Sequence, residues 1–189
     1  MSRIISGLAG SIRLAAAPTG TRPTSDRVKE SVFASLEATG AIENADVLDL
    51  FAGTGALGLE ALSRGAKSLV AIESARAALN VCLKNSASVG TALSAAGAQP
   101  PMEIKLSDAV AYLASTIKEF DLVFADPPYD LDVAGKLLER VGAVLRPNGL
   151  FVLELSSKAE NPALVEGIEL SSEKAYGDTK VLIFRLTAQ

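Results

Sequence analysis

The chain has no histidine and no tryptophan, one cysteine (Cys82) and only 5% aromatic residues. Each shortage removes a class of chemistry. Without histidine there is no Ser-His-Asp triad, no ordinary general base near neutral pH, and none of the commonest metal ligand. A lone cysteine excludes an intramolecular disulfide, fits a reducing cytosol and builds no zinc cluster, so no metal is expected. Apolar runs never reach the roughly eighteen residues that a membrane helix needs. The opening MSRIISGLAGSIRL places Arg13 where a secretion signal requires an unbroken apolar stretch, so no signal is expected and the location read is cytoplasmic.

What is present describes an ordinary globular chain. Its 189 residues are 49% hydrophobic and 21% charged, enough for one domain with a proper core. Net charge is −4, which by itself argues against a nucleic-acid partner, but the charge is uneven. Residues 1–30 carry Arg3, Arg13, Arg22, Arg27 and Lys29 against Asp26 and Glu30, a local balance of +3. The remaining 13 basic and 20 acidic residues give −7. A basic end on an acidic body reads either as a solvated surface or as a local phosphate-binding face.

Periodicity gives the order of elements. Arg3–Ser6 and Ile12–Ala15 read as a small hairpin around Gly7–Gly10, followed by a proline- and threonine-bearing loop from Pro18 to Ser25. Asp26–Thr39 reads as a helix. Apolar strands are expected at Val47–Phe51, Ser68–Ile72, Met102–Leu106, Asp121–Ala125 and Leu150–Leu155. Helices follow the first four, to about Arg64, over Ser74–Val89, over Ala109–Lys118 and over Val133–Leu145. Gly90–Pro101, small, uncharged and ending in two prolines, reads as a flexible surface loop. Ile168–Tyr176 and Lys180–Leu186 close the chain as a hairpin. Strands alternating with helices give a doubly wound parallel α/β sheet, here with one antiparallel edge and a basic N-terminal extension.

The organising stretch is Val47–Ala61, VLDLFAGTGALGLEA. A strand feeding a glycine turn and then a helix is the first unit of a nucleotide-binding α/β sheet, with Ala52, Gly53, Gly55 and Gly58 at the turn. Asp49, inside the strand end, suits a cationic ligand group such as an ammonium and would repel pyrophosphate. Glu73 follows Gly53 by twenty residues at the end of the next strand, where a carboxylate can take both ribose hydroxyls. Asp108, before Ala109 at the end of the third strand, can meet an adenine amino group, cap the following helix, or do both.

The decisive motif is Asp126-Pro127-Pro128-Tyr129, directly after the fourth strand. Ligands in such sheets lie outside the carboxyl ends of the strands, so this tetrapeptide should share the crevice with Gly53 and Glu73. Two prolines stiffen the loop and remove its N–H donors. Asp126 and the Pro127 carbonyl can then accept both hydrogens of an amine, turning its lone pair outward. Tyr129 offers a face for a base taken out of its stack.

These motifs resemble those of the S-adenosylmethionine-dependent amino-methyltransferases. R3-I-I-S-G, T21-R-P-T-S-D-R-V-K-E-S-V-F, L59-E-A-L-S-R-G-A and Y176-G-D-T resemble the bacterial family that methylates a guanine N2 of 16S ribosomal RNA. The resemblance spans nearly the whole chain. It implies a seven-stranded class I, Rossmann-like methyltransferase fold with S-adenosylmethionine held by Asp49, Ala52, Gly53, Gly55, Gly58, Glu73, Asp108 and Ala109. It also implies target contacts from Asp126, Pro127, Pro128 and Tyr129. The expected partner is 16S ribosomal RNA or the assembling small subunit, the implied target is guanine 966 of that RNA, and the expected state is a monomer. Residues 1–40 would face RNA through Arg3, Arg13, Arg22, Arg27 and Lys29, with 41–189 forming the catalytic sheet. N6-adenine methylation of DNA or RNA is the alternative, because Asp-Pro-Pro-Tyr suits either amine. The Gly90–Pro101 loop departs from the family pattern by its length.

Overall fold

Val47 and Leu122 belong to one apolar core while Leu48 and Val123 belong to another, the period of two that lets one strand serve both faces of a sheet. The computed structural model, which describes residues 2–16, 26–128 and 133–187, builds seven such strands. The order is α1 (Asp26–Ala38), β1 (Asp46–Asp49), α2 (Ala56–Ser63), β2 (Ser68–Glu73), α3 (Arg76–Ala95) and β3 (Met102–Leu106). Then come α4 (Ala109–Ser115), β4 (Phe120–Ala125), α5 (Ala134–Val141), β5 (Leu145–Ser156), β6 (Ile168–Tyr176) and β7 (Thr179–Leu186). The sheet runs β3-β2-β1-β4-β5-β7-β6.

β1 pairs in parallel with both β2 and β4, so the chain winds outward to β3 and returns to the opposite flank. That places the topological switch point between β1 and β4. Helices α1, α2 and α3 cover one face; α4 and α5 cover the other. On the first face Phe33 of α1 meets Phe124 of β4 with ring centroids 5.6 Å apart.

The structure departs from the sequence expectations in several places; α5 stops at Val141, and Leu145, expected at its end, opens β5 and pairs with Phe120. The expected antiparallel edge is formed by the terminal hairpin: β7 pairs antiparallel with β5 and with β6, so it lies one place in and β6 forms the margin. Its apolar length decides this, since Val181–Phe184 are buried on both faces whereas most of β6 is exposed. Gly90–Ala95 is not loop but the last turns of α3. Val89 and Leu93, four apart and fully buried, carry the helix through these small residues. At Gly90 the helix passes close to β3, where a Cβ would come to 3.0 Å from the end of the Met102 side chain. The helix ends only at Ala96, where Gly97 adopts φ +84°.

The N-terminal hairpin forms as expected. Arg3 and Arg13 bridge antiparallel, Ile4 N–H donates to Ile12 O at 2.9 Å and Leu14 N–H to Ser2 O at 2.9 Å. It is fastened to α2, with Leu8 N–H on Ser63 O at 2.7 Å and Ala9 N–H on Ser63 Oγ at 2.9 Å.

Candidate active site

At the end of β1 the chain must turn sharply into α2. Leu50 N–H reaches across to Phe124 O, Ala52 N–H to Ile72 O, and Gly55 N–H folds back on Ala52 O. These bonds seat the turn between the ends of β2 and β4. Gly53 and Gly55 hold φ of +53° and +82°, a region L side chains rarely adopt. A Cβ on Gly53 would meet only Phe51 O, at 3.9 Å, so the loop borders a hollow. Gly58 serves packing instead. A Cβ there would come within 2.5 Å of Leu69 Cδ1, so its absence lets α2 lie close on the sheet.

Two carboxylates shape this loop. Glu73 Oε2 accepts the Gly53 N–H at 2.8 Å and Oε1 accepts the Ala75 N–H at 2.7 Å. Both oxygens are thereby fixed, and each keeps a second lone pair for a ribose hydroxyl. Asp49 is 1% exposed; its Oδ2 accepts the Gly58 N–H at 3.1 Å, and its buried Oδ1 has no hydrogen-bond partner among the described residues. Burial, first, and then the charges of Asp126 and Glu73 push its carboxyl up to about 7, while the N–H groups of Gly58 and Phe51 pull the other way. Cys82 lies under the loop as an inert thiol pushed up to about 12, by burial and then by Asp49 and Glu73.

Along the crevice, Ser107 N–H donates to Glu73 O at 3.1 Å and so brings the end of β3 beside β2. Asp108 caps α4, its Oδ1 accepting the Ala111 N–H at 2.9 Å, with Ala109 buried beneath. Asp126 follows β4 half-buried, Pro127 is buried and Pro128 exposed. Asp49 at the end of β1 pairs with Phe124 of β4, and Asp126 follows two residues later, so the two carboxylates stand at the carboxyl ends of adjacent strands. Asp49, Ala52, Gly53, Gly55, Gly58, Glu73, Asp108 and Asp126 are thus gathered at the carboxyl ends of β1–β4. Arg22 and Tyr129 lie outside the described residues.

The basic N-terminal residues divide. Arg3, Arg13 and Arg27 are at least partly exposed. Lys29 is not available to RNA phosphate: it is 0% exposed, its Nζ bonded to Arg3 O and 3.5 Å from Glu60 Oε2. Burial pushes its ammonium below the ordinary range, against the opposing pull of Glu60 and Asp26. Glu60, also 0% exposed, accepts Ile5 N–H at 2.7 Å, Ser6 N–H at 3.1 Å and Arg64 Nε at 2.7 Å. Sequence reasoning missed this anchor. Its signal was a glutamate inside the apolar run Leu57–Leu62, which must find partners when the helix is buried all round.

The comparisons bear on a site already defined. A family model described as conserved hypothetical protein 95 matches residues 2–185. The chain belongs to that family. It is 36% identical to ribosomal RNA small subunit methyltransferase D of Escherichia coli strain K12 over 176 residues, covering 90% of this chain and 82% of that protein. The same-named protein of Haemophilus influenzae is 33% identical over 181 residues, covering 93% and 89%. Among solved structures, the provisionally named methyltransferase yhhF from Escherichia coli superposes with a TM-score of 0.83 at 32% identity, covering 100% of this chain and 99% of the other. The fold is the class I, Rossmann-like methyltransferase fold.

The residues fit S-adenosylmethionine. Asp49 Oδ1 would accept from the ammonium, the open space beside Gly53 would admit a close ligand, and Glu73 would take the ribose hydroxyls. Negative charge from Asp49, Glu73 and Asp126 suits a sulfonium. When bound, the cofactor supplies an electrophilic methyl group.

Two outcomes follow for cofactor binding. Glu73→Ala should weaken binding by roughly 1–3 kcal/mol, the cost of leaving ribose hydroxyls unpaired; calorimetry giving unchanged affinity would reduce Glu73 to a loop brace. For Asp49, a cationic ligand favours the ionised carboxyl, so binding below pH 7 must release a proton. Affinity should rise from about pH 5 to about pH 7, the folded value, and then level, while Asp49→Asn gives a flat, weaker profile. The stability contribution runs the other way. A folded value above the usual ~4 favours the native state fully below about pH 4, and that contribution is lost as pH rises through about 7.

Proposed function

We propose that this protein transfers a methyl group from S-adenosylmethionine to the exocyclic N2 amine of a guanine in 16S ribosomal RNA. The observation that supports the reading is that Asp126-Pro127 directly follows β4, the parallel neighbour of the β1 strand that carries Asp49 and leads into the glycine loop. An aromatic amine is a poor nucleophile because its lone pair is delocalised into the ring. Asp126 and the Pro127 carbonyl accept its two hydrogens, which lets the nitrogen pyramidalise toward the methyl group. The proton leaves after transfer, when the amine has become strongly acidic, so no histidine is required. Tyr129 supplies the stacking face for the extruded base.

Ribosomal RNA as the substrate is supported by the names of the relatives, and guanine by the N-terminal and Tyr176-Gly-Asp-Thr segments. Arg3, Arg13 and Arg27 form the accessible cations of an RNA-facing N-terminal region, working with Arg22; Lys29 drops out of that set. The protein acts as a monomer in the cytoplasm, on free RNA or on the assembling subunit. Among the described residues no helix is long and apolar enough to cross a membrane. Mapping methylated guanines in ribosomal RNA from cells with and without the protein tests the reading. One guanine should lose its N2 methyl group when the protein is absent; an unchanged map contradicts it.

A further inference from the structure

Asn85 lies within α3 at 3% exposure, and both of its amide hydrogens are in hydrogen bonds. Oδ1 accepts the Ala15 N–H at 2.8 Å, while Nδ2 donates to Ala15 O at 3.2 Å and to Thr54 O at 2.8 Å. One N–H and two carbonyls admit a single orientation of the group. Thr54 stands between the two positive-φ glycines of the cofactor loop. Ala15 ends the hairpin that displays Arg3 and Arg13, shortly before residues 17–25. The helix carrying Asn85 is itself anchored by Cys82, Val89 and Leu93 in the core. One side chain therefore ties the cofactor loop and the end of the hairpin directly to a rigid support, and both partners are main-chain groups.

We propose that Asn85 is a positioning residue that couples the cofactor loop to the RNA-facing N-terminal segment, so that each ligand tightens the other. A loop with two glycines loses much conformational freedom when it closes on a ligand. The Thr54 carbonyl bond transfers that order to Asn85 and so to Ala15. A segment already ordered costs less to engage RNA, and linkage makes the effect reciprocal. This inference rests on the reading that the N-terminal segment contacts RNA.

The test titrates S-adenosylhomocysteine calorimetrically, with and without a saturating 16S ribosomal RNA transcript. In the wild type, RNA should tighten binding at least about fivefold, the lower end of ordinary coupling. Asn85→Asp keeps the shape and the acceptor but turns a carboxylate oxygen toward two carbonyls; the ratio should fall below about twofold. Ala15→Pro removes the hairpin's N–H and leaves α3 and the loop intact. It should lower the ratio while cofactor affinity without RNA stays unchanged, and it carries the test if the aspartate variant fails to fold. A purely structural asparagine would change the melting temperature and leave the ratio alone. Retention of the wild-type ratio in Ala15→Pro, or in a folded Asn85→Asp protein, overturns the coupling. So does a wild type that methylates RNA but binds S-adenosylhomocysteine equally with and without it. A wild type that binds neither the transcript nor the small subunit overturns the functional reading as well.

Discussion

Asp126→Ala should lower single-turnover methylation by roughly a hundred- to a thousandfold at saturating RNA and cofactor, the scale seen when one preorganised transition-state partner is removed. Cofactor affinity should change little, because the interaction is made with the target amine. That combination, a fall in turnover without a fall in cofactor binding, marks an interaction realised in the transition state. Asp126→Asn should keep part of the activity, since its amide oxygen still accepts one hydrogen bond but carries no charge. Removing the charge should also ease the ionisation of Asp49, which Asp126 opposes. Tyr129→Phe should be mild and Tyr129→Ala severe, because the stacking face matters more than the hydroxyl. At saturating cofactor, turnover should show no steep titration between about pH 6 and 8, because no base has to be deprotonated before the amine attacks. Near-normal methylation by Asp126→Ala would sink the mechanism.

Glu60→Ala should destabilise the fold by roughly 3–5 kcal/mol, the cost of breaking a buried ion pair from one side. The carboxylate serves four groups at once: Lys29, Arg64 and the N–H groups of Ile5 and Ser6. Its removal leaves the Lys29 ammonium buried with the Arg3 carbonyl as its hydrogen-bond acceptor, and strips the hairpin of much of its hold on α2. Arg64 suffers less, because Glu37 Oε1 remains 2.8 Å from it. The paired replacement Lys29→Met with Glu60→Leu should recover only part of the loss, since it removes the unpaired ammonium but leaves the Ile5 and Ser6 N–H groups without their acceptor. Urea unfolding measures both. A loss below about 1 kcal/mol in Glu60→Ala would mean that water enters the site and screens the lysine. Faster amide exchange at Ile5 and Ser6 should accompany the real effect.

The sequence carried the sheet and most of the crevice because both rest on local signals. The apolar runs at Val47–Phe51 and Asp121–Ala125, and the glycines at 53 and 55, state their roles within a few residues. Asp108 served as the helix cap that was one of its two readings, with its ligand role still a matter for the cofactor. Three features were not legible, each for a long-range reason. The end of α3 was set by burial of Leu93 and not by the low complexity around it. The place of β7 was set by which hairpin strand had two apolar faces to hide. The fate of Lys29 was set by Glu60, thirty-one residues away, which turned an expected phosphate contact into a buried strut. Charge counts see the number of cations, not where their partners stand.

The most direct measurement is the identity of the methylated nucleoside. 16S ribosomal RNA, bare or in the small subunit, is incubated with the protein and S-adenosylmethionine labelled in its methyl group, digested, and separated. The account requires the label in N2-methylguanosine, at one position, and its disappearance with Asp126→Ala. Label in N6-methyladenosine would contradict the guanine assignment while leaving the crevice its role; an unlabelled RNA in both forms of the substrate would contradict the function itself.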